Sequence, residues 1–129
     1  MWSGWPLERV LYLLLGILFA GVFVQVTLYH MRQNFRHPSM WLPVLATPVV
    51  GATCLLLAGW NAPVLKTLLA WTAGVTAVAS VYGTYLHGVG VGNRVGGFNV
   101  NNAMVGPPIM LPVLLGALSV LAWLVVYIA

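Results

Sequence analysis

The chain is almost without charge, and acidic residues are especially scarce. Of 129 residues only 5% are charged, and Glu8 is the single acidic residue. A soluble domain usually carries about a quarter charged residues, so the composition excludes the ordinary soluble class. A single carboxylate also excludes acid–base chemistry by paired carboxylates and a Ser-His-Asp triad. We therefore predict no catalytic residue, and no enzyme activity for this chain on its own.

Cysteine and clustered basic residues are scarce as well. Cys54 is the only cysteine, which excludes an internal disulfide and two-cysteine redox chemistry. We expect it to pack inside the second helix as a small apolar residue. The five basic residues form no run, so the basic face that a nucleic-acid partner requires is missing. Membrane lipid is the partner that the composition favours.

Long apolar runs fill most of the chain. Four segments without charge, at residues 10–29, 41–60, 67–86 and 108–127, each reach the about 20 residues that a bilayer core requires. Short connections between such segments are typical of an up-down bundle. The sequence therefore predicts an all-α, integral membrane four-helix bundle that forms one domain over residues 1–129.

The connecting loops divide the basic residues between two sides of the membrane. The 31–40 and 88–107 loops share one side and carry Arg32, Arg36 and Arg94, whereas Arg9 and Lys66 lie on the side of both termini. Because cytoplasmic loops carry an excess of Lys and Arg, three against two places the loops in the cytoplasm and the termini opposite. The predicted location is the cell membrane, with the bacterial cytoplasmic membrane as the expected type.

Two apolar segments end in similar motifs that suggest an internal repeat. The motifs are Thr27-Leu28-Tyr29-His30 and Thr84-Tyr85-Leu86-His87, and Arg9 precedes the first histidine by as many positions as Lys66 precedes the second. Leu-Pro-Val-Leu also occurs twice, at residues 42–45 and 111–114. These matches allow two tandem helical hairpins, related by a pseudo-two-fold axis along the membrane normal.

The two repeated histidines are the main candidate site. Residues three and four apart share a helix face, and small residues dominate the faces that lead to His30 and His87. Two neutral imidazoles can hold the iron of a b-type haem from opposite sides, so both histidines are candidate haem-iron ligands. Arg32, Arg36 and Arg94 would then pair with the haem propionates. A quinone headgroup at the same residues is a related cofactor, and two interfacial histidines without a ligand are the simpler alternative.

The loop side offers two further hypotheses. The glycine-rich loop 88–107 does not match the G-x-G-x-x-G dinucleotide motif, and a loop of this length is often functional or bound to a partner. All three histidines, together with Met31, Met40, Met104 and Met110, lie on that side. Thioether and imidazole ligands together suit Cu(I), which makes copper handling a third function.

One segment carries a resemblance. It contains His87-Gly88-Val89, Arg94, Gly96-Gly97-Phe98, Asn102, Gly106-Pro107-Pro108 and Pro112. This pattern, which covers only the stretch from His87 to Pro112, resembles one in small bacterial four-span membrane proteins without an established activity. The resemblance implies that the third helix, the loop and the fourth helix form one unit, and it implies no activity.

Three functions follow from the sequence, in order of preference. The first is a small membrane subunit of a larger redox or electron-transfer complex, which helps to bind a b-type haem or a quinone. The second is a cofactor-free assembly subunit that anchors a partner through the 88–107 loop, and the third is a copper-handling membrane protein. The expected protein partners are other subunits of such a complex or further copies of this chain.

Overall fold

The chain forms four long α-helices. The computed structural model describes residues 1–94, 96–97, 99–101 and 108–128, and within them no strand occurs. All four helices are long and apolar enough to cross a membrane. The helices are α1 (Leu7–Arg32), α2 (Trp41–Gly59), α3 (Pro63–Arg94) and α4 (Met110–Ile128), with a short 3-10 helix (Pro38–Met40) before α2. The all-α four-helix fold class is therefore confirmed.

The parallel helices α1 and α3 extend beyond the thickness of the bilayer core. At 26 and 32 residues and 1.5 Å per residue, they are about 39 and 48 Å long, whereas the hydrocarbon core measures about 30 Å. The structure differs here from the predicted loop 88–107, because residues 88–94 continue α3. Val91 in this extension is fully buried, so its packing offsets the low helix propensity of the neighbouring glycines.

The helices pack as two hairpins. α1 packs mainly against α2, and α3 mainly against α4; contacts between α2 and α3 and between α4 and α1 close the bundle. The parallel helices α1 and α3 therefore lie on a diagonal, which is the arrangement that a two-fold axis along the membrane normal requires. Cys54 is fully buried in α2, which confirms its predicted packing role.

Close helix approach is built on small residues. A Cβ atom placed on Gly16 would lie 2.5 Å from Leu55 Cδ2, and one placed on Gly51 would lie 3.0 Å from Phe19 Cβ. In the second hairpin, a Cβ on Gly116 would lie 3.1 Å from Ser80 Cβ. Membrane helices gain stability from such close backbone approach, because lipid supplies no hydrophobic drive for association.

The buried faces of the two hairpins follow a common register. In the alignment that matches His30 with His87, Tyr12 corresponds to Leu69, Gly16 to Ala73 and Phe19 to Thr76, and all six are buried. The buried positions of α2 and α4 correspond in a different alignment, through six pairs: Val44/Pro112, Thr47/Leu115, Val50/Leu118, Gly51/Ser119, Cys54/Ala122 and Leu57/Val125. The two Leu-Pro-Val-Leu motifs are shifted by one position relative to this alignment, so they do not occupy equivalent faces.

Polar side chains tie the terminal end of the bundle together. Glu8 accepts hydrogen bonds from Lys66 Nζ at 2.9 Å and from Tyr12 Oη at 3.1 Å. Trp2 and Arg9 donate to backbone carbonyls in the last turn of α2, at 2.6 Å and 2.7 Å. The last carbonyls of a helix have no partner within the helix, so these side chains complete the end of α2.

Candidate functional site

The fold brings the two repeated histidines together. His30 lies in the last turn of α1 and His87 lies at the equivalent level of α3, with ring centroids 6.5 Å apart and planes inclined at 67°. The ring of Tyr29 contacts both, with its centroid 5.6 Å from that of His30 and 6.1 Å from that of His87. His30 and His87, which the repeated motif pairs in the sequence, are therefore neighbours across the bundle.

The hydrogen bond of His87 determines its tautomer. Nδ1 lies 2.7 Å from the carbonyl oxygen of Pro108, 21 residues further along the chain. A carbonyl oxygen can only accept, so Nδ1 carries the hydrogen and donates it. In the neutral ring, Nε2 is then the acceptor nitrogen. Fixing one ring nitrogen through a backbone carbonyl is the usual way in which proteins orient a ligating or accepting histidine.

His30 is buried without a full set of hydrogen bonds. Its side chain is 5% exposed, and Nδ1 has no hydrogen-bond partner among the described residues; Thr27 Oγ1, three residues earlier, has none either. The backbone of Met40 approaches the same ring. Nearly all buried polar atoms in proteins are hydrogen-bonded, so both atoms are exceptions, and of the two residues only His30 lines the cavity described below.

Other hydroxyls of the membrane helices behave differently. Eight of them donate to a carbonyl oxygen four residues earlier in their own helix: Thr47, Thr53, Thr67, Thr72, Thr76, Ser80, Thr84 and Ser119. This is the ordinary way to satisfy a hydroxyl inside a membrane helix. Thr27 Oγ1 has no such bond among the described residues, although Thr84, at the equivalent position of α3, does.

Both histidines line a cavity at the loop-side end of the bundle. Its volume is about 250 Å³, equal to about eight water molecules at about 30 Å³ each. The polar side chains that line it come from α1, the α1–α2 connection and α3: Tyr29, His30, Gln33, His37, Ser39, Thr76, Ser80, Tyr82, His87 and Asn93. The remaining wall is apolar. Small-molecule sites in proteins combine an apolar wall with a few polar groups in this way.

The turn after α1 covers His30 from outside the cavity. Asn34 and Phe35 have φ angles of 56° and 47°, which is uncommon for a bulky residue such as phenylalanine. The Phe35 ring stacks on Trp41 with centroids 4.0 Å apart, and its centroid lies 6.3 Å from that of His30. The chain therefore adopts a costly backbone conformation where Phe35, stacked on Trp41, lies beside the histidine.

The arginines predicted for the site are not found among the described residues of the cavity lining. Arg32 and Arg36 are exposed and lie outside the cavity lining, and Arg36 donates a hydrogen bond to Gln33 at 2.7 Å. Arg94 ends α3, and its side chain lies outside the described residues. The structure thus unites His30 with His87 and leaves Arg32 and Arg36 at the surface.

Only some of the side chains predicted as copper ligands lie together. His37 and Met40 line the same cavity as His30 and His87, whereas Met31 and Met110 are exposed and Met104 lies outside the described residues. His37 Nδ1 is engaged with Ser39, 2.6 Å from its hydroxyl. Within the described part of the chain, no three His, Cys, Asp or Glu side chains are close enough to hold one metal ion.

Sequence reasoning missed several residues of the site. Gln33 follows His30 by three positions, a spacing that places both on one helix face, so it could have been found. Tyr29 is part of the repeated motif and could also have been included. The Pro108 carbonyl could not have been found, because a backbone oxygen that is distant from His87 in the chain leaves no mark in the sequence.

Comparison with protein-family models, with curated proteins and with solved structures found no significant match. The chemistry of the site therefore has to be argued from its own geometry.

Proposed function

We propose that the chain is an integral membrane subunit of a redox complex and that it binds a quinone headgroup in the cavity between His30 and His87. The observation that carries the proposal is the pair itself. Two histidines from different hairpins meet at one cavity, where His30 Nδ1 has no partner among the described residues and His87 presents Nε2 as an acceptor. Polar atoms left in this state favour a ligand with hydrogen-bonding groups.

A quinone headgroup suits these nitrogens. It is a single ring with two opposed oxygens, which accept hydrogen bonds in the oxidised form and donate them in the reduced form. His87 Nε2, as an acceptor, suits the hydroxyl of the reduced form. The ring centroid of His30 lies 6.5 Å from that of His87, too close for the two histidines to bind opposite oxygens of one ring, so His30 is a second contact at the same end of the headgroup. Transfer of electrons would belong to other subunits of the complex.

The geometry favours a quinone over the predicted b-type haem. The cavity of about 250 Å³ is below the about 300–1,000 Å³ that is usual for drug-sized ligands, and a porphyrin is larger than most of these. Arg32 and Arg36 lie outside the lining, so neither reaches the cavity as a propionate partner. A six-membered ring requires neither the larger volume nor the basic side chains.

The test is quinone binding to the protein in lipid nanodiscs. Titration calorimetry with a short-tailed benzoquinone, oxidised and reduced, should give saturable binding by the wild type. His87→Ala should weaken binding of the reduced form by about tenfold or more, because losing a hydrogen bond to a buried group costs about 1–3 kcal/mol. Arg32→Gln is the matched control, and we expect it to bind as the wild type does.

Three results would overturn the proposal. Equal quinone affinity of the wild type, His30→Ala and His87→Ala would show that binding does not depend on the histidines. A Soret band after haem loading that is lost in His30→Ala would replace the quinone with a haem. Saturable copper binding that both histidine variants abolish would support the copper hypothesis instead.

A further inference from the structure

The part of α3 that lines the cavity consists of two adjacent stripes. The inner stripe is small or polar and mostly buried: Thr76, Ser80, Gly83, His87 and Gly90. It faces α4, because a Cβ on Gly83 would lie 3.4 Å from Pro112 Cβ and Ser80 Cβ lies against Gly116. This stripe forms the deep wall of the cavity, where the headgroup would lie.

The outer stripe is mainly apolar and reaches the surface of the bundle. It consists of Ala79, Tyr82, Leu86, Val89 and Asn93, at the alternating spacing of three and four that keeps residues on one helix face. Tyr82 is 49% exposed and Val89 is 38% exposed. The same residues therefore line the cavity and face the exterior of the bundle.

The neighbouring helix α2 supplies the opposite edge. Leu42 lines the cavity and is 46% exposed, and Ala46, one turn deeper, is half-buried. On the far side of the cavity, the lining residues of α1 and α4 are all buried or half-buried. Among the described residues, the exposed apolar lining thus lies on α2 and α3, where the two hairpins meet.

The cavity also has a polar mouth at its loop end. His37 and Asn93 both line it and are both exposed, with the half-buried Ser39 beside His37. One end of the cavity therefore faces the membrane–water interface, and one side faces the region that lipid chains would occupy. A ligand that fits both would have a polar head and an apolar tail.

We infer that the cavity opens sideways into the bilayer between α2 and α3, and that its ligand is a lipid-borne quinone whose apolar tail leaves through this gap. The side opening is defined by Leu42, Ala46, Ala79, Tyr82 and Val89. This inference rests on the proposed quinone function and adds to it the class of ligand and its route of entry. The headgroup reaches His30 and His87 with its tail still in lipid, so the tail is never transferred to water.

The first test blocks the side opening and compares two ligands. Ala79→Trp and Ala46→Trp each place a large ring in the gap, and Val78→Trp, on an outward face 74% exposed, is the matched control. Binding of a decyl-tailed benzoquinone should weaken by about tenfold or more in both blocked variants. Binding of the same headgroup without a tail should change less than about threefold, because this ligand has no tail to occupy the gap. Val78→Trp should leave both unchanged.

The two ligands distinguish failure of the inference from failure of the proposed function. If neither ligand binds the wild type, the quinone function is wrong. If both bind and the tryptophan variants weaken them equally or not at all, the function stands and the side opening is wrong. The latter result is also expected if the acyl chain of an ordinary phospholipid occupies the gap.

A second test locates the tail directly and does not depend on the variants. A benzoquinone with a photoreactive diazirine on its fourth tail carbon, added to the wild type in nanodiscs, should label the side opening, with Leu42 and Tyr82 as the expected sites. Labelling should be competed by excess decyl-tailed benzoquinone. Competed labelling on the outward faces of α1 and α4 instead would overturn the inference.

Discussion

The two ends of the bundle use their polar residues in opposite ways. At the terminal end Glu8, Tyr12 and Lys66 are joined by hydrogen bonds and an ion pair, and Trp2 and Arg9 cap the carbonyls of α2. At the loop end Thr27 Oγ1 and His30 Nδ1 are buried with no hydrogen-bond partner in the described ranges. The first end joins helices, whereas the second leaves buried polar atoms without a partner, and His30 lines the cavity there.

The contrast is informative because corresponding positions of the two hairpins supply residues to both ends. Arg9 and Lys66 occupy equivalent positions of the two hairpins, as do His30 and His87. The two residues of the terminal pair make different contacts, since Arg9 caps α2 while Lys66 forms an ion pair with Glu8. The loop-side pair converges on one site. An unsatisfied buried polar atom costs free energy, so a chain that satisfies its polar groups at one end and not at the other is consistent with a ligand at the second.

The largest expected effect is on stability at the terminal end. Glu8→Ala leaves Lys66 and Tyr12 without their partner, and we expect the free energy of unfolding to fall by about 1–3 kcal/mol. Unfolding in mixed micelles of dodecyl maltoside and dodecyl sulfate, followed by circular dichroism, measures the change. Affinity for the short-tailed benzoquinone should not change, because Glu8 and His30 are about 33 Å apart along α1.

The control for this prediction is a double-mutant cycle of Glu8→Gln with Lys66→Met. A coupling energy near zero between the two positions would show that the ion pair does not join α1 to α3. A loss of quinone affinity in Glu8→Ala would remove the separation between a structural end and a binding end.

At the loop end we expect a substitution to change the free energy of unfolding in the opposite direction. His30→Phe replaces a buried ring that has an unpartnered nitrogen with an apolar ring, among the aromatic side chains of Tyr29 and Phe35. We expect the free energy of unfolding to stay the same or rise by up to about 1 kcal/mol, while quinone affinity falls by about tenfold or more. Unfolding and calorimetry on one preparation measure both. A destabilisation as large as that of Glu8→Ala would show that His30 also belongs to the structural framework.

Much of this contrast could be predicted from residue spacing. The absence of charge over four runs predicts the four helices, and the equal spacing of His30 from Arg9 and of His87 from Lys66 predicts that the two histidines meet. Spacing also argues against Arg32 as a partner, since two residues after His30 correspond to about 200° around the helix, on the opposite face. That part of the site could have been corrected from the sequence alone.

Other features depend on tertiary packing, which the sequence does not display. Glycine at positions 88, 90 and 92 predicts a loop, because each costs a helix about 1 kcal/mol relative to alanine. The structure continues α3 there, with Val91 buried. The cavity is likewise invisible in the sequence, since it is the space left between four helices and the turn that Phe35 and Trp41 hold in place.

The smallest expected effect compares the two repeated threonines. Thr84 Oγ1 donates to the Ser80 carbonyl oxygen at 2.8 Å, whereas Thr27 Oγ1 has no partner in the described chain. Thr27→Val should therefore leave stability unchanged or raise it by about 0.5 kcal/mol, and Thr84→Val should lower it by about 0.5–1 kcal/mol. The same micelle unfolding assay measures the pair, and the two valines serve as each other's control. Equal losses in both variants would mean that the Thr27 hydroxyl is satisfied in the membrane, and the loop end would then differ from the terminal end through His30 alone.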